Sequence, residues 1–185
     1  MRRNLLPHLR SSLPRALQRV HARMAWLACG GLLLTTAPCP AQMRDADMKA
    51  AYVANFAQFA TWPNAGRDPA RDATLAVCAD AATALGAALQ TYHGRRLGGR
   101  AWQVLDSAGR PHAAGCDLLV LARAAFHDGA DAPGVLVVRD GAGPPAAITL
   151  IDDDEHLQFD IDTRQVARAG LRLSSKLLRL ARNLQ

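Results

Sequence analysis

From Gln42 onward the chain carries three serines, Ser107, Ser174 and Ser175, and four histidines, His93, His112, His127 and His156. No serine sits in a G-x-S-x-G elbow, the tight turn that exposes a nucleophile at the head of a strand. Ser174 and Ser175 precede an apolar run and are expected to cap a helix. The histidines show neither H-x₃-H spacing nor a C-x-x-C companion, so no zinc set forms from them. The densest group of oxygen ligands is Asp152-Asp153-Asp154-Glu155-His156. It lacks the glycine and the alternation of a calcium loop and reads as a solvated hairpin turn. The turn His93–Gly99 has glycines without phosphate-cradling spacing, and it precedes a strand rather than opening a helix. Its cations Arg95 and Arg96, with Arg100, read as a solvated basic turn, with an anion contact as the alternative. Cys78 lies in an apolar run, the wrong surroundings for a reactive thiolate. These residue types supply no catalytic set, metal site or cofactor cradle, and the expectation is a binding protein rather than an enzyme.

The charge distribution narrows what could be bound. The chain has 185 residues and a formal net charge of +6. Arg2, Arg3, Arg10, Arg15, Arg19 and Arg23 account for the whole surplus, and the first acid is Asp45. The remainder is neutral overall, which excludes nucleic-acid binding through a bulk basic field. The basic stretch is followed by the apolar run Met24–Leu34 and then by Thr35-Thr-Ala-Pro-Cys-Pro-Ala41. That order is a secretory signal, with the small residues Cys39 and Ala41 placing the cut between Ala41 and Gln42. The apolar run would span only ~16 Å as a helix, against a hydrocarbon core of ~30 Å. Residues 1–41 are therefore read as a Sec-type signal peptide and 42–185 as one domain without an integral membrane segment. The expected location is the periplasm.

The elements that must carry any site follow from periodicity. Met48, Ala51, Tyr52, Asn55, Phe56 and Phe59 recur at helical spacing and predict a helix over Asp45–Trp62, with that stripe in the core and Pro63 as the stop. Asn55, the polar exception, is expected to satisfy backbone groups inside the core. Strands are predicted at Thr74–Ala79, Ala101–Leu105, Asp117–Ala122 and Val135–Val138, with an Ala-rich helix after the first and a short helical turn at Ala124–His127. Ala147–Ile151 and Leu157–Ile161 read as a hairpin. Thr163–Ala169 reads as a helix stopped by Gly170, and a last helix runs from Ser174 or Ser175 to about Asn183. Strands alternating with helices predict an α/β fold: three layers, helix–sheet–helix, with a mainly parallel sheet and a late antiparallel hairpin. On the last helix Arg172, Lys176 and Arg179 form a basic stripe, read as a solvated face or a partner-docking surface.

Two cysteines remain after the signal, Cys78 and Cys116. An even count in an oxidising compartment points to one disulfide, worth ~4 kcal/mol on the chain-entropy account; two buried thiols are the alternative.

Three segments together resemble one family. They are Lys49-Ala-Ala-Tyr-Val-Ala-Asn-Phe-Ala-Gln-Phe-Ala-Thr-Trp-Pro63, the strands Leu75–Cys78 and Gly115–Leu121 with their cysteines, and Ala167-Arg-Ala-Gly-Leu-Arg-Leu-Ser-Ser-Lys-Leu-Leu-Arg-Leu-Ala181. They are similar to the YfiR/HmsC-like periplasmic proteins. The resemblance implies a repressor of a YfiN-like membrane diguanylate cyclase, itself sequestered by a YfiB-like OmpA-family lipoprotein, acting on cyclic-di-GMP signalling and biofilm formation. A homodimer is a further expectation. The second, C-terminal cysteine pair of some members is absent here, and the segment before the hairpin, Gly143-Pro144-Pro145, is shortened. A small-molecule-binding module, using the crevice at the carboxyl ends of the parallel strands, is the competing reading.

Overall fold

In the computed structural model the described residues are 40–63, 72–107, 114–122, 132–153 and 156–185, with side chains from Arg44 onward. They belong to one compact unit, Pro38–Gln185. The reading of residues 1–39 and of the turn at Ala124–His127 lies outside them.

Helix α1 spans Pro40–Phe59. Proline suits a first helical position, where its missing N–H is no loss. The helix ends three residues before the expected Trp62, because Ala60–Thr61 straightens into β1 and pairs antiparallel with β9, Arg172–Leu173. The buried face is also not the expected one. Ala46, Lys49, Ala50, Val53, Ala54, Phe56 and Ala57 are buried, whereas Met48, Ala51, Asn55 and Phe59 are exposed. Of the six stripe residues only Phe56 is fully buried, and Asn55 faces outward rather than bonding inside the core. Alanines on the inner face let α1 sit close to the Ala-rich helix Ala84–Gln90, and a row of larger side chains there would hold it away.

The remaining elements are β2 (Thr74–Ala79), α2 (Ala84–Gln90), β3 (Arg96–Leu97), β4 (Arg100–Asp106), β5 (Leu118–Leu121), β6 (Leu136–Asp140), β7 (Ile148–Asp153), β8 (His156–Ile161), α3 (Thr163–Arg168), α4 (Ser175–Leu178) and β10 (Asn183–Leu184). The main sheet has the order β10-β8-β7-β6-β5-β2-β4-β3. Its centre is parallel, β4-β2-β5-β6-β7, and β7 and β8 form the antiparallel hairpin. The expected α/β class with a mainly parallel sheet and a late hairpin is the one found. All four residues of β5 are buried, as a strand covered on both faces requires. Gly86 in α2 is obligatory: a Cβ there would lie 1.9 Å from the Asp80 carbonyl oxygen, so glycine alone lets this helix pack onto the end of β2.

The two faces of the sheet are covered differently. The larger cluster gathers Val53, Phe56, Leu89, Trp102, Ile148, Phe159, Val166 and Leu177, and all four helices contribute to it. On the other face a smaller cluster joins Cys78, Cys116, Leu119, Leu121, Val135, Val137 and Ala146, with no described helix among them. Cys78 and Cys116 are bonded there, with Cα atoms 5.8 Å apart, tying β2 to the entry of its parallel neighbour β5.

The chain end departs from expectation. Ser174 caps α4, but the helix stops at Leu178 instead of running to about Asn183. The edge of β8 captures the following residues: Arg182 N–H donates to the Phe159 carbonyl at 2.8 Å, and Asn183–Leu184 pairs parallel with Asp160–Ile161.

Candidate functional site: an apolar groove beside the first helix

Tyr52, Asn55, Phe56 and Phe59 from α1, Leu157, Gln158 and Phe159 from β8, and Leu177, Leu180 and Arg182 from the chain end line a groove of about 420 Å³. Its floor is an aromatic cluster. Phe56 and Phe159 are 4.9 Å apart between ring centroids, and Tyr52 meets them edge-on at 6.1 and 6.2 Å. Phe59 and Leu180 on its walls stay 37% and 69% exposed. Arg182 donates from Nε and Nη2 to the Asp160 carboxylate, at 3.0 and 2.8 Å, so its charge is already matched. An open apolar groove with one neutralised cation suits a protein surface.

Lys49 fixes the helix that supplies four of the ten residues lining this groove. Its ammonium is buried and lies 2.9 Å from Asp45, 3.1 Å from Asp140 at the end of β6 and 2.8 Å from Asp152 on β7. Burial alone lowers a lysine pKa, but here the three carboxylates outweigh it and hold Lys49 above its ordinary value. The turn α1–β1 is pinned separately: the Trp62 indole donates to the Asp117 carbonyl at 3.2 Å, and the Arg100 guanidinium stacks 4.9 Å from its ring.

Other depressions hold polar groups already engaged with the protein. One, of about 580 Å³, lies among Gly141–Ala146, Asp152, Asp160, Asp162 and Arg182. Its carboxylates hold Lys49, Arg182 and the first turn of α3. A third, of about 360 Å³, contains Arg100, which donates to the Thr74 carbonyl at 2.9 Å and lies 3.5 Å from Asp117. The basic turn does not converge on an anion: Arg95 lies over Tyr92 and Arg96 donates to the Gly99 carbonyl. Among the described residues no cluster of His, Cys, Asp and Glu could hold a metal. Ser174 is a helix cap, and His93 Nδ1 accepts from Val104 N–H. His112, His127, Asp154 and Glu155 lie outside the described residues.

The basic stripe does not lie on one helix. Arg172 is in β9, Lys176 in α4 and Arg179 at the α4 C-cap, and all three are exposed. Sequence reasoning missed Leu157, Phe159 and Leu180 as groove residues, since only tertiary folding brings β8 and the chain end to α1.

The first and last of the three recognisable segments thus converge: Tyr52, Asn55, Phe56 and Phe59 come from one, Leu177 and Leu180 from the other. A family model described as YfiR/HmsC-like matches residues 46–182. The chain belongs to the YfiR/HmsC-like family. No curated protein was found to match the sequence. Membership in the YfiR/HmsC-like family points to regulation in diguanylate cyclase signalling rather than to catalysis. No described helix is long and apolar enough to cross a membrane.

Proposed function

We propose that this chain is an exported, non-enzymatic repressor that docks its groove on the periplasmic sensor region of an inner-membrane diguanylate cyclase and lowers cyclic-di-GMP output. The observation that carries the reading is the convergence of both family segments on one open apolar groove. The neutral charge from Gln42 onward and the secretory pattern of residues 1–41 support a periplasmic protein partner over a nucleic acid. Repression requires the groove to bind the inactive sensor state better than the active one. A preference of about 2.7 kcal/mol shifts that equilibrium about a hundredfold. A YfiB-like lipoprotein would relieve repression by competing for the repressor.

The direct test is deletion of the gene with measurement of cellular cyclic-di-GMP while the cell expresses a membrane diguanylate cyclase with a periplasmic sensor region. A rise is expected, reversed by the wild-type gene and not by Leu180→Asp. No rise would overturn the repressor reading in favour of a small-molecule module. Intact mass of the exported protein checks the cut between Ala41 and Gln42; retention of Met24–Leu34 would overturn it.

A further inference from the structure

The outer edge of β4 is finished by a side chain. Ala101 and Ser107 donate their N–H groups to the Ala73 and Ala79 carbonyls on the β2 side. The alternate residues Trp102 and Val104 therefore turn their backbone groups to the open edge. β3 is only two residues long and pairs no further along β4 than Ala101. Beyond it the turn after α2 takes over. Gly94, at φ 76°, donates to the Trp102 carbonyl at 2.8 Å, and Trp102 N–H donates to the Arg95 carbonyl at 2.9 Å. Val104 is next in line, and it meets the imidazole of His93.

His93 Nδ1 lies 3.2 Å from the Val104 nitrogen and 3.3 Å from the Val104 carbonyl oxygen. One ring nitrogen cannot bond both. Without a proton it accepts from the N–H; with a proton it donates to the carbonyl. His93 is exposed, so solvent protons reach the ring. The ionisable groups around it have other partners. On its own turn the Arg95 guanidinium lies over the Tyr92 ring at 5.4 Å, and Arg96 donates to the Gly99 carbonyl. On β4, Arg100 is held by Thr74 and Asp117, and the Asp106 carboxylate accepts from Ala81 N–H at 3.2 Å. Asp80, ahead of α2, accepts from Ala82 N–H. None of them forms an ion pair with His93 among the described residues.

We propose that His93 is a proton-operated cap on the edge of the sheet. The neutral ring covers the Val104 N–H. The charged ring releases it and holds the Val104 carbonyl instead, through a charge-assisted bond. Imidazole is the side chain suited to such an exchange between about pH 5 and 8. The exchange matters because the released N–H lies beside Leu105, which is 43% exposed. A strand edge with an unanswered donor is what another extended chain pairs with, and the neutral ring blocks that pairing.

Amide exchange of the purified mature protein, followed by NMR, tests this. The Val104 protection factor is expected to fall about fivefold from about pH 8 to about pH 5. That of Trp102, bonded to the Arg95 carbonyl, should stay constant. The Val104 carbonyl carbon should shift in step with the His93 ring nitrogens. His93→Ala is expected to lose the Val104 protection at both ends of the range. His93→Asn, whose side-chain oxygen accepts but does not titrate, is expected to keep it at both. Wild-type protection that changes by less than about twofold across the range, or that survives His93→Ala, would overturn the cap.

Discussion

On its inner side α1 sets Ala46, Ala50, Val53, Ala54 and Ala57 into the core it shares with α2; on its open side it holds Met48, Tyr52, Asn55 and Phe59. The larger apolar side chains are thus on the side that is less buried. The inner alanines contribute little area each but bring the helix close, where every backbone and side-chain atom gains dispersion contacts. The outer residues form an apolar surface that a protein acting alone has no use for, and such surfaces mark partner sites. Phe56 lies on the boundary, buried beneath the groove it helps to line. Size and hydrophobicity here report what the side chain serves, the fold or a partner, only once its neighbours are known.

The sharpest way to break this contrast is to truncate the two phenylalanines separately. Phe56→Ala removes a ring that is 1% exposed and is expected to cost about 3–5 kcal/mol, read as a lowered urea midpoint. A cost below about 1 kcal/mol would place Phe56 with the outer residues.

The second contrast is between the sheet faces. The helix-covered face has the larger cluster, and the other relies on the disulfide. Replacing Cys78 and Cys116 together by serine is expected to cost about 2–4 kcal/mol in thermal or urea unfolding. Peptide mapping without reductant should recover the linked pair from the native protein. Two freely alkylatable thiols would refute the linkage.

Lys49→Met tests how the inner face is anchored. Its carboxylate partners are 29% to 46% exposed and can rehydrate, so the loss is expected to be only about 1–2 kcal/mol. The pH dependence has a definite sign. The folded pKa of Lys49 is raised above the ordinary 10.5, so its contribution is fully present below that value and fades only as pH climbs through the folded pKa. The stability difference between wild type and Lys49→Met should therefore stay flat between about pH 7 and 9.5. A difference that shrinks across that window would mean the lysine is not held charged by its partners.

The smallest effect belongs to the outer side. Phe59→Ala is expected to change stability by less than about 1 kcal/mol while abolishing repression in the complementation assay. A large loss of stability would make Phe59 a core residue and dissolve the contrast.

Much of the scaffold was legible locally. Thr74–Ala79 was bounded correctly because an apolar run between polar residues has no other way to hide both faces. The hairpin around Asp152–His156, the stop at Gly170 with its φ of 70°, and the Ser174 cap were legible for similar reasons of turn and cap chemistry. The candidate site was legible only as scattered residues: Tyr52, Asn55 and Phe59 were marked out, but as core.

What the sequence determined by itself is therefore the main strands and helices and their order, since these depend on chemistry within a few residues. What tertiary structure alone decided is which side of α1 faces in, why Lys49 can be buried, and where the last helix stops. Both sides of α1 are apolar enough to be buried, and the choice falls to close packing of alanines and to Asp140 and Asp152, far along the chain from Lys49. The last helix is cut short by hydrogen bonds offered from the edge of β8, a partner its own sequence does not contain.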